Sequence, residues 1–200
     1  MAKVLVATNN QGKLQEIRSL LATINLQLIS PSDLGLQLEV REDGSSYQEN
    51  AALKATAYSE ASGLVVIADD SGLEVAALNG APGLYSARFS SKPGATDADR
   101  RQYLLEQLQA YPPPWKAQFR CVVALTLQGH PVHFTEGICP GEIIPEERGE
   151  HGFGYDPIFL LPKVDLTMAE LAMEEKNRLS HRALAVQSAI PILLDLISKQ

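Results

Sequence analysis

The sequence has 200 residues and a formal net charge of −7, with 45% apolar and 20% charged side chains. Its length and apolar fraction fit one large domain or two small lobes built on a real hydrophobic core. The acidity argues against a nucleic-acid or anionic-membrane partner, because both require a basic surface, but a few local cations can still bind a small anion.

Cysteine usage and the apolar runs indicate the compartment. Cys121 and Cys139 stand in apolar, strand-like stretches, where two buried free thiols are favoured and a disulfide is the alternative. The apolar run that begins at Val4 meets Thr8 almost at once, so it is too short for a signal peptide or a membrane span. No later run approaches that length. We therefore expect a cytoplasmic protein with no membrane partner.

The first part of the chain alternates predicted strands and helices. Hydrophobic spacing predicts, in order, a buried strand at 3–7, a helix at 12–21, a strand at 26–29, a helix from the N-cap Ser46 to Ser62, and a buried strand at 64–68. Ser46 and Glu49 fit a capping box, and Gly63 ends that helix. Residues 31–45 are polar, acidic and irregular. The last strand leads into Asp69-Asp70-Ser71-Gly72, which we interpret as an acidic turn.

The second part of the chain predicts, in order, a turn at 80–83, a helix from the N-cap Thr96 to about Ala110, strands at 117–127 and 131–137, a glycine-rich polar segment at 149–156, and a helix from His181. Pro112-Pro113-Pro114 ends the first helix and is expected to mark the edge of a lobe. Thr167 and Glu170 fit another capping box, and Ser180 can cap the last helix. Pro191 predicts a kink or break within it. The pattern predicts an α/β fold whose buried sheet has parallel and antiparallel neighbours.

A polar loop follows the first predicted strand, with the sequence Thr8-Asn9-Asn10-Gln11-Gly12-Lys13. A helix N-terminus presents unpaired amides and a positive dipole, which suit an anion. Lys13 adds a cation where cations are disfavoured unless an anion compensates them. The loop is not a Walker A motif, which requires more glycine and a GK[ST] ending. We interpret it as an anion-binding loop, with an ordinary polar turn and a solvated lysine as the alternative.

Carboxylates are concentrated at the end of the strand at 64–68 and in the earlier acidic segment. Neighbouring strand residues point to opposite faces, so one of Asp69 and Asp70 is expected to do chemistry while the other holds backbone groups or caps a turn. A strand-end carboxylate is a natural Mg²⁺ ligand or general base, and an Asp-Ser-Gly turn is the alternative. Glu42 and Asp43 supply a second candidate carboxylate for Mg²⁺, or they are merely solvated.

Two late segments carry aromatic and basic side chains. In Gly152-Phe153-Gly154-Tyr155-Asp156-Pro157 the glycines permit close approach of a ligand, and an aromatic ring can stack on a purine. The alternative is a tight turn with one of the two rings in the core. Lys176 is followed by His181 and Arg182 in a first helical turn, where cations suggest an anionic or carbonyl-rich partner, and a solvated helix start is the alternative. Together these features match the needs of a Mg²⁺-nucleotide site.

Six separated motifs, in chain order, span nearly the whole chain and resemble one family. They are Thr8-Asn9-Asn10-Gln11-Gly12-Lys13, Glu49-Asn50-Ala51-Ala52-Leu53-Lys54-Ala55, Ala68-Asp69-Asp70-Ser71-Gly72-Leu73, Gly80-Ala81-Pro82-Gly83-Leu84-Tyr85-Ser86-Ala87-Arg88, Gly152-Phe153-Gly154-Tyr155-Asp156-Pro157, and Glu175-Lys176-Asn177 with Ser180-His181-Arg182. No single motif is specific, but jointly they resemble the inosine/xanthosine triphosphate pyrophosphatase family. One departure is Asn9, where many members carry glycine, and asparagine tolerates left-handed backbone better than most residues.

The resemblance implies a fold, an assembly and an activity. The fold would be α/β, with an elongated mixed sheet flanked by helices and two lobes around a central cleft. Residues 1–200 would form a single nucleoside triphosphate pyrophosphatase domain, and the chain would form a homodimer. With Mg²⁺ as cofactor it would cleave dITP, ITP and XTP to the monophosphate and pyrophosphate, which removes deaminated purines from the nucleotide pool.

The resemblance also assigns site residues by matching motifs. Asp70 would be the catalytic base and, with Glu42, a metal-associated carboxylate. The residues implied to contact the nucleotide are Thr8, Asn9, Asn10, Gln11, Gly12, Lys13, Ser71, Phe153, Gly154, Tyr155, Asp156, Lys176, His181 and Arg182. Base choice would come from donors that meet the 6-keto oxygen, because the amino group of adenine would leave such donors unpaired. Two alternatives remain, a pyrophosphatase for pyrimidine triphosphates and a nucleotide-binding sensor without turnover.

Overall fold

The structure, a computed structural model, describes all of residues 1–200 and contains seven strands and five α-helices. The strands are β1 (Ala2–Val6), β2 (Leu26–Ile29), β3 (Val65–Val75), β4 (Trp115–Thr126), β5 (His133–Ile143), β6 (Phe159–Leu161) and β7 (Leu166–Thr167). The helices are α1 (Gln11–Leu20), α2 (Tyr47–Ser62), α3 (Asp97–Leu108), α4 (Met173–Leu179) and α5 (His181–Ile197). All strands belong to one sheet, in the order β2-β1-β3-β4-β5-β6-β7. The predicted α/β class, a mixed sheet flanked by helices, is confirmed.

Strand direction changes across the sheet. β1 pairs in parallel with β2, where Val4 lies opposite Leu28, and with β3, where Val4 lies opposite Val65. β6 pairs antiparallel with both β5 and β7. Helices α1 and α2 lie in the connections between the parallel strands, which cannot be joined by a tight turn. The prediction of both parallel and antiparallel neighbours is therefore confirmed.

The chain divides into two compact units, each with its own apolar core. The first unit comprises Met1–Asp70, Cys121–Gly137 and His181–Gln200. Its core combines side chains from β1, α1, β3, β4 and α5, among them Val4, Ile17, Ile67, Val123 and Leu193. The last three residues of β1, Val4 to Val6, are completely buried, which is typical of a strand with parallel neighbours and both faces covered.

The second unit comprises Ser71–Arg120 and Ile138–Ser180. Its core includes Phe119 and Phe159, whose ring centroids lie 4.3 Å apart. Pro112-Pro113-Pro114 lies inside this unit, so the predicted lobe edge at these prolines is wrong. The chain passes from one unit to the other within β3, β4 and β5, and at the start of α5. Three of these four boundaries fall inside strands, which is why composition alone gives no sign of them.

Helix ends follow the caps that the sequence predicts. The Ser46 hydroxyl accepts the Glu49 N–H at 3.1 Å, and Gly63 ends α2 with a φ of 67°. Thr96 likewise caps α3 in a reciprocal capping box. The Glu49 carboxylate does not reach back to Ser46; it accepts the N–H of Ser45, one residue earlier, at 2.6 Å. The N-cap of α2 is confirmed, and the reciprocal bond is shifted by one residue.

Two local predictions are wrong, and a third is wrong in part. β3 continues through Asp69-Asp70-Ser71-Gly72, so these residues form strand rather than a turn. Thr167 and Glu170 do not begin a helix: the Glu170 carboxylate accepts the Thr167 N–H at 2.7 Å within a turn, and α4, which was not predicted, begins only at Met173. α5 runs through Pro191 without a break, since proline removes one N–H while buried side chains on both sides of it hold the helix; the alternative of a kink stays a prediction.

Other outcomes are simple. Both cysteines are free and buried, as favoured from the sequence. β5 extends well past its predicted end, to Ile143. None of the helices combines the length and the apolarity that a membrane crossing requires.

Candidate active site

Asp69 lies on β3 with 1% of its surface exposed. Its Oδ2 is 3.0 Å from Nζ of Lys13 and accepts a hydrogen bond of 3.2 Å from Nε of Arg182. Burial alone would raise the pKa of Asp69, but Lys13, Arg182 and Lys54 together hold it well below its usual range. The residue is therefore a stable anion that neutralises the cations around it. It lies on a strand and its partners are side chains, not the backbone groups or turn that the sequence predicts for the second aspartate.

Asp70, the next residue on β3, contacts different side chains. Its Oδ2 accepts a hydrogen bond of 3.1 Å from Nδ2 of Asn50, and its Oδ1 lies 3.8 Å from Nζ of Lys54. Burial raises the pKa of Asp70 above its usual value, against the opposing effects of Lys54, Lys13 and Asn50. A carboxylate with a raised pKa is a stronger base than a free one. The alternation expected of a strand gives the two aspartates different environments.

Lys54 lies between two carboxylates. Its Nζ is 3.2 Å from Oε1 of Glu42 and 3.8 Å from Oδ1 of Asp70. Lys54 is 8% exposed, whereas Glu42 lies on the surface of an irregular segment. The shared ammonium brings Asp70 and Glu42 to one place, which a pair of Mg²⁺ ligands would need. No group of three or more His, Cys, Asp or Glu side chains with metal-binding geometry occurs in the structure.

The predicted anion-binding loop lies at the start of α1. Asn10 is the N-cap, with its Oδ1 accepting the Lys13 N–H at 3.0 Å, and the Thr8 hydroxyl accepts the Asn10 N–H at 3.2 Å. Gln11 and Gly12 are the first two residues of α1, so their amides have no partner within the helix. Residues 9–11 are exposed. The loop therefore presents helix amides on an accessible surface.

Lys13 has an internal counter-ion. The sequence offers no acidic residue in the first turn of α1, and an uncompensated cation there suggests a bound anion. The Asp69 carboxylate at 3.0 Å supplies that compensation within the protein. The position of Lys13 alone is thus weaker support for a ligand than it is in the sequence, and the open amides become the stronger observation.

His181 and Arg182 begin α5 and are buried, with 5% and 1% of their surfaces exposed. Arg182 forms ion pairs with Asp69 and with Glu16 of α1. The alternative of a solvated helix start is therefore wrong for this pair. The guanidinium links α1, β3 and α5, and Glu16 is not among the residues predicted for the site.

Three buried residues of the first unit, Glu16, Asn50 and Lys54, contact Arg182 or Asp70 but escape the sequence-based site prediction. Asn50 and Lys54 are one helical turn apart on α2, on a face that also buries Ala51 and Ala55. Buried polar groups need partners, so two of them at this spacing among alanines are the signal that was available. Glu16 carries a similar but weaker signal, because it stands beside the apolar Ile17 of α1.

The second unit carries the aromatic loop, which we define as residues 152–156. Gly152 has a φ of +78°, and a Cβ at this position would collide with Oδ2 of Asp156. That oxygen accepts the Phe153 N–H at 3.0 Å and a hydrogen bond of 2.7 Å from Nζ of Lys176. Nζ of Lys176 also lies 5.4 Å from the centroid of the Phe153 ring, a cation–π distance. The loop therefore fixes one aromatic ring and one buried ammonium side by side.

Tyr155 matches the alternative interpretation of an aromatic ring in the core. It is 5% exposed, and its hydroxyl donates to the Ser86 carbonyl at 2.9 Å. Phe153 is half-buried, as is Ser71, which follows Asp70 on β3. Phe153 is accordingly the better candidate to stack on a base.

The predicted site residues divide between the two units. The first unit holds Thr8, Asn9, Asn10, Gln11, Gly12, Lys13, Glu42, Asp70, His181 and Arg182, and the second holds Ser71, Phe153, Gly154, Tyr155, Asp156 and Lys176. In the first unit Lys13 and Arg182 meet at Asp69, and in the second Phe153 and Lys176 meet at the aromatic loop. Their roles toward a substrate stay predictions.

Known proteins resemble this chain over its full length. The Ham1 family model matches residues 4–192. A dITP/XTP pyrophosphatase from Desulforamulus reducens is 45% identical over 96% of this chain and 95% of that protein, and one from Desulfotalea psychrophila is 47% identical over 92% and 81%. The structure of a HAM1 protein from Coxiella burnetii has a TM-score of 0.86 at 40% identity, covering 98% of this chain and 100% of the other. The resemblance drawn from the six motifs is confirmed, and the chain belongs to the Ham1 family.

Proposed function

We propose that this chain hydrolyses dITP, ITP and XTP to the nucleoside monophosphate and pyrophosphate, which removes deaminated purines from the nucleotide pool. One observation carries the proposal, the pair of adjacent buried aspartates on β3. Asp69 neutralises the cations around it, and Asp70 has a raised pKa and lies beside the ammonium of Lys54. Full-length similarity to proteins named dITP/XTP pyrophosphatase supports the same activity. The aspartate pair offers a general base for hydrolysis, and the similar proteins indicate a nucleoside triphosphate as the substrate.

The triphosphate binds the loop at residues 8–13. The open amides at the start of α1 and the positive end of the helix dipole attract phosphate oxygens. Lys13 adds a full charge, and its ion pair with Asp69 holds the ammonium in place while 16% of the side chain stays exposed. A donor that is already fixed loses little entropy on binding. Phosphate affinity therefore depends on Asp69 as well as on Lys13.

Asp70 acts as the general base for attack at the α-phosphorus. The water oxygen bonds to the α-phosphorus as a water proton passes to the Asp70 carboxylate. The bond from the α-phosphorus to the bridging oxygen breaks, and pyrophosphate leaves with that electron pair. The raised pKa strengthens proton uptake, the amide of Asn50 orients the carboxylate, and the ammonium of Lys54 opposes its premature protonation.

Mg²⁺ is the proposed cofactor, and Asp70 and Glu42 would hold it. These carboxylates approach one ammonium, that of Lys54, and a site built from one or two carboxylates suits Mg²⁺, which keeps water and phosphate oxygens as its other ligands. When bound, Mg²⁺ would neutralise charge on the triphosphate and on the leaving pyrophosphate. A homodimer and a cytoplasmic location complete the proposal, on the strength of the family resemblance.

Base selection depends on stacking and on hydrogen-bond donors. Phe153 offers a half-buried ring, and Lys176, His181 and Arg182 carry N–H groups. Donors that meet a 6-keto oxygen are left unpaired by the amino group of adenine, which lowers the affinity for adenine nucleotides. Hypoxanthine and xanthine satisfy the same donors.

A panel of purine and pyrimidine triphosphates, with product identification in the presence of Mg²⁺ and after its chelation, tests the proposal. We expect ITP, dITP and XTP to give monophosphate and pyrophosphate, with turnover lost on chelation. A strong preference for dTTP or UTP would favour the pyrimidine alternative. Tight ITP binding without pyrophosphate release would favour a sensor.

A further inference from the structure

Gly154, in the middle of the aromatic loop, is held through both of its backbone polar groups by helix α3. Its N–H donates to Oδ2 of Asp97 at 2.8 Å, and its carbonyl accepts a hydrogen bond of 2.9 Å from Nη1 of Arg101. Asp97 and Arg101 are four residues apart, so their side chains project from the same face of the helix. The helix therefore grips a single residue of the loop at two points.

Both gripping side chains are fixed in turn. The Arg101 guanidinium pairs with Glu147 through Nε and Nη2, both at 2.8 Å, which leaves Nη1 for the loop. A planar guanidinium held at two nitrogens has its third direction set. Asp97 is the first residue of α3 and forms an ion pair with Arg100. Burial would raise the pKa of Asp97, but hydrogen bonds from Arg100 and Gly154 lower it, so the acceptor stays ionised.

The conformation of Gly154 decides where its neighbours point. Its φ of +63° is in the left-handed region, which glycine enters and leaves at little cost. In this conformation Phe153 lies against Lys176, while Tyr155 is buried with its hydroxyl on Ser86. Glycine cannot hold such a conformation by its own steric limits. The two hydrogen bonds from α3 supply the restraint that the residue itself lacks.

We propose that Asp97 and Arg101 are positioning residues for nucleobase selection. They hold Gly154, and through it the Phe153 ring and the ammonium of Lys176, in the arrangement that receives the base. This inference rests on the proposed function for the identity of the substrate. Neither residue touches the substrate. Loss of either one therefore weakens base binding and lowers the selectivity for the base, and it leaves the hydrolytic step intact.

Steady-state kinetics of the full chain with ITP and UTP test the inference. Asp97→Ala and Arg101→Ala each raise KM for ITP by roughly three- to tenfold, the value of one hydrogen bond, and leave kcat within about twofold. The preference for ITP over UTP falls with the rise in KM. Asp97→Asn keeps an acceptor for the Gly154 N–H and restores KM. Gln102→Ala is the matched control, because it removes only a hydrogen bond to Glu106 from an exposed position of α3.

Several results would overturn the inference. They are an unchanged KM and ITP preference in both alanine variants, a fall in kcat with KM unchanged, or an Asp97→Asn variant as impaired as Asp97→Ala. Amide hydrogen exchange supplies a readout that needs no turnover: Asp97→Ala should speed exchange at Gly154 while the thermal midpoint stays near that of Gln102→Ala. If the unmodified chain prefers another triphosphate, the proposed function fails and that triphosphate replaces ITP in the same comparison. If amide exchange at Gly154 is unchanged in Asp97→Ala, the inference is wrong, whichever triphosphate the chain prefers.

Discussion

The aspartates Asp69 and Asp70 of the first unit and the aromatic loop of the second are held by different kinds of interaction. Asp69 is fixed by ion pairs with Lys13 and Arg182, from elements far apart in the sequence. Gly154 is fixed by hydrogen bonds to its own backbone groups from Asp97 and Arg101. Buried charges set proton affinities, whereas backbone bonds set shape. The comparison predicts that charge substitutions change catalysis and stability, and that loop substitutions change selectivity.

Asp70→Asn should have the largest effect, because an amide cannot accept the proton of the attacking water. We expect kcat for ITP to fall by roughly a hundred- to ten-thousandfold, the range for loss of a general base. The fold should persist, since the new side chain has nearly the same shape. Asp195→Asn, an exposed change on α5, is the control and should keep the parent kcat. Near-parent turnover of Asp70→Asn, with an unchanged circular dichroism spectrum, would refute the assignment.

Asp69→Asn should instead show its main effect in stability. It leaves Lys13 and Arg182 with less compensation in a buried site, and breaking a buried ion pair from one side costs about 3–5 kcal/mol. Urea unfolding measures this loss, and Asp195→Asn should stay within about 0.5 kcal/mol of the parent. A loss for Asp69→Asn as small as that of the control would mean that the charges are compensated elsewhere.

Much of the fold was predictable because its signals are local. β2 has its predicted bounds, and the N-cap Ser46 and the C-cap Gly63 set both ends of α2. The extension of β3 past Ala68 was not predictable, because Asp, Ser and Gly have weak strand propensity and the sheet overrides it. α4 was missed because seven residues are too few to show a helical period.

The site was predictable where its residues form contiguous motifs. The loop at residues 8–13, Asp70 and the aromatic loop were all identified in the sequence. Glu16 and Lys54 were missed although their spacing among apolar residues hinted at burial, and only the folded structure shows which ions pair with them. Likewise the grip on Gly154 joins residues more than fifty positions apart.

Gly152 and Gly154 of the aromatic loop should respond differently to substitution by alanine. A Cβ at Gly152 would strike Oδ2 of Asp156, the partner of Lys176, whereas a Cβ at Gly154 meets nothing within 4 Å. Both substitutions to alanine carry a backbone cost of about 1–2 kcal/mol for a left-handed residue. Gly152→Ala should therefore raise KM for ITP more than Gly154→Ala does. Equal KM values for the two variants would show that the Asp156–Lys176 contact does not affect base binding.

The smallest expected effect is a difference in pH dependence between Asp70, which affects activity, and Asp69, which affects stability. Asp70 must be ionised to act, and its pKa in the free protein is raised, so kcat/KM declines as pH falls through a value above the usual 3.8. Asp69 has a lowered pKa, so its stabilising contribution is full above the unfolded pKa and disappears only as pH falls toward the folded value. Activity should be lost at a higher pH than structure. Coincident midpoints for kcat/KM and circular dichroism would contradict this order.

Hydrolysis of ITP in water labelled with oxygen-18 tests most directly the central claim, that water attacks the α-phosphorus. Attack at the α-phosphorus places the label in the inosine monophosphate and releases unlabelled pyrophosphate. Label in the pyrophosphate, or release of orthophosphate in its place, would contradict the account.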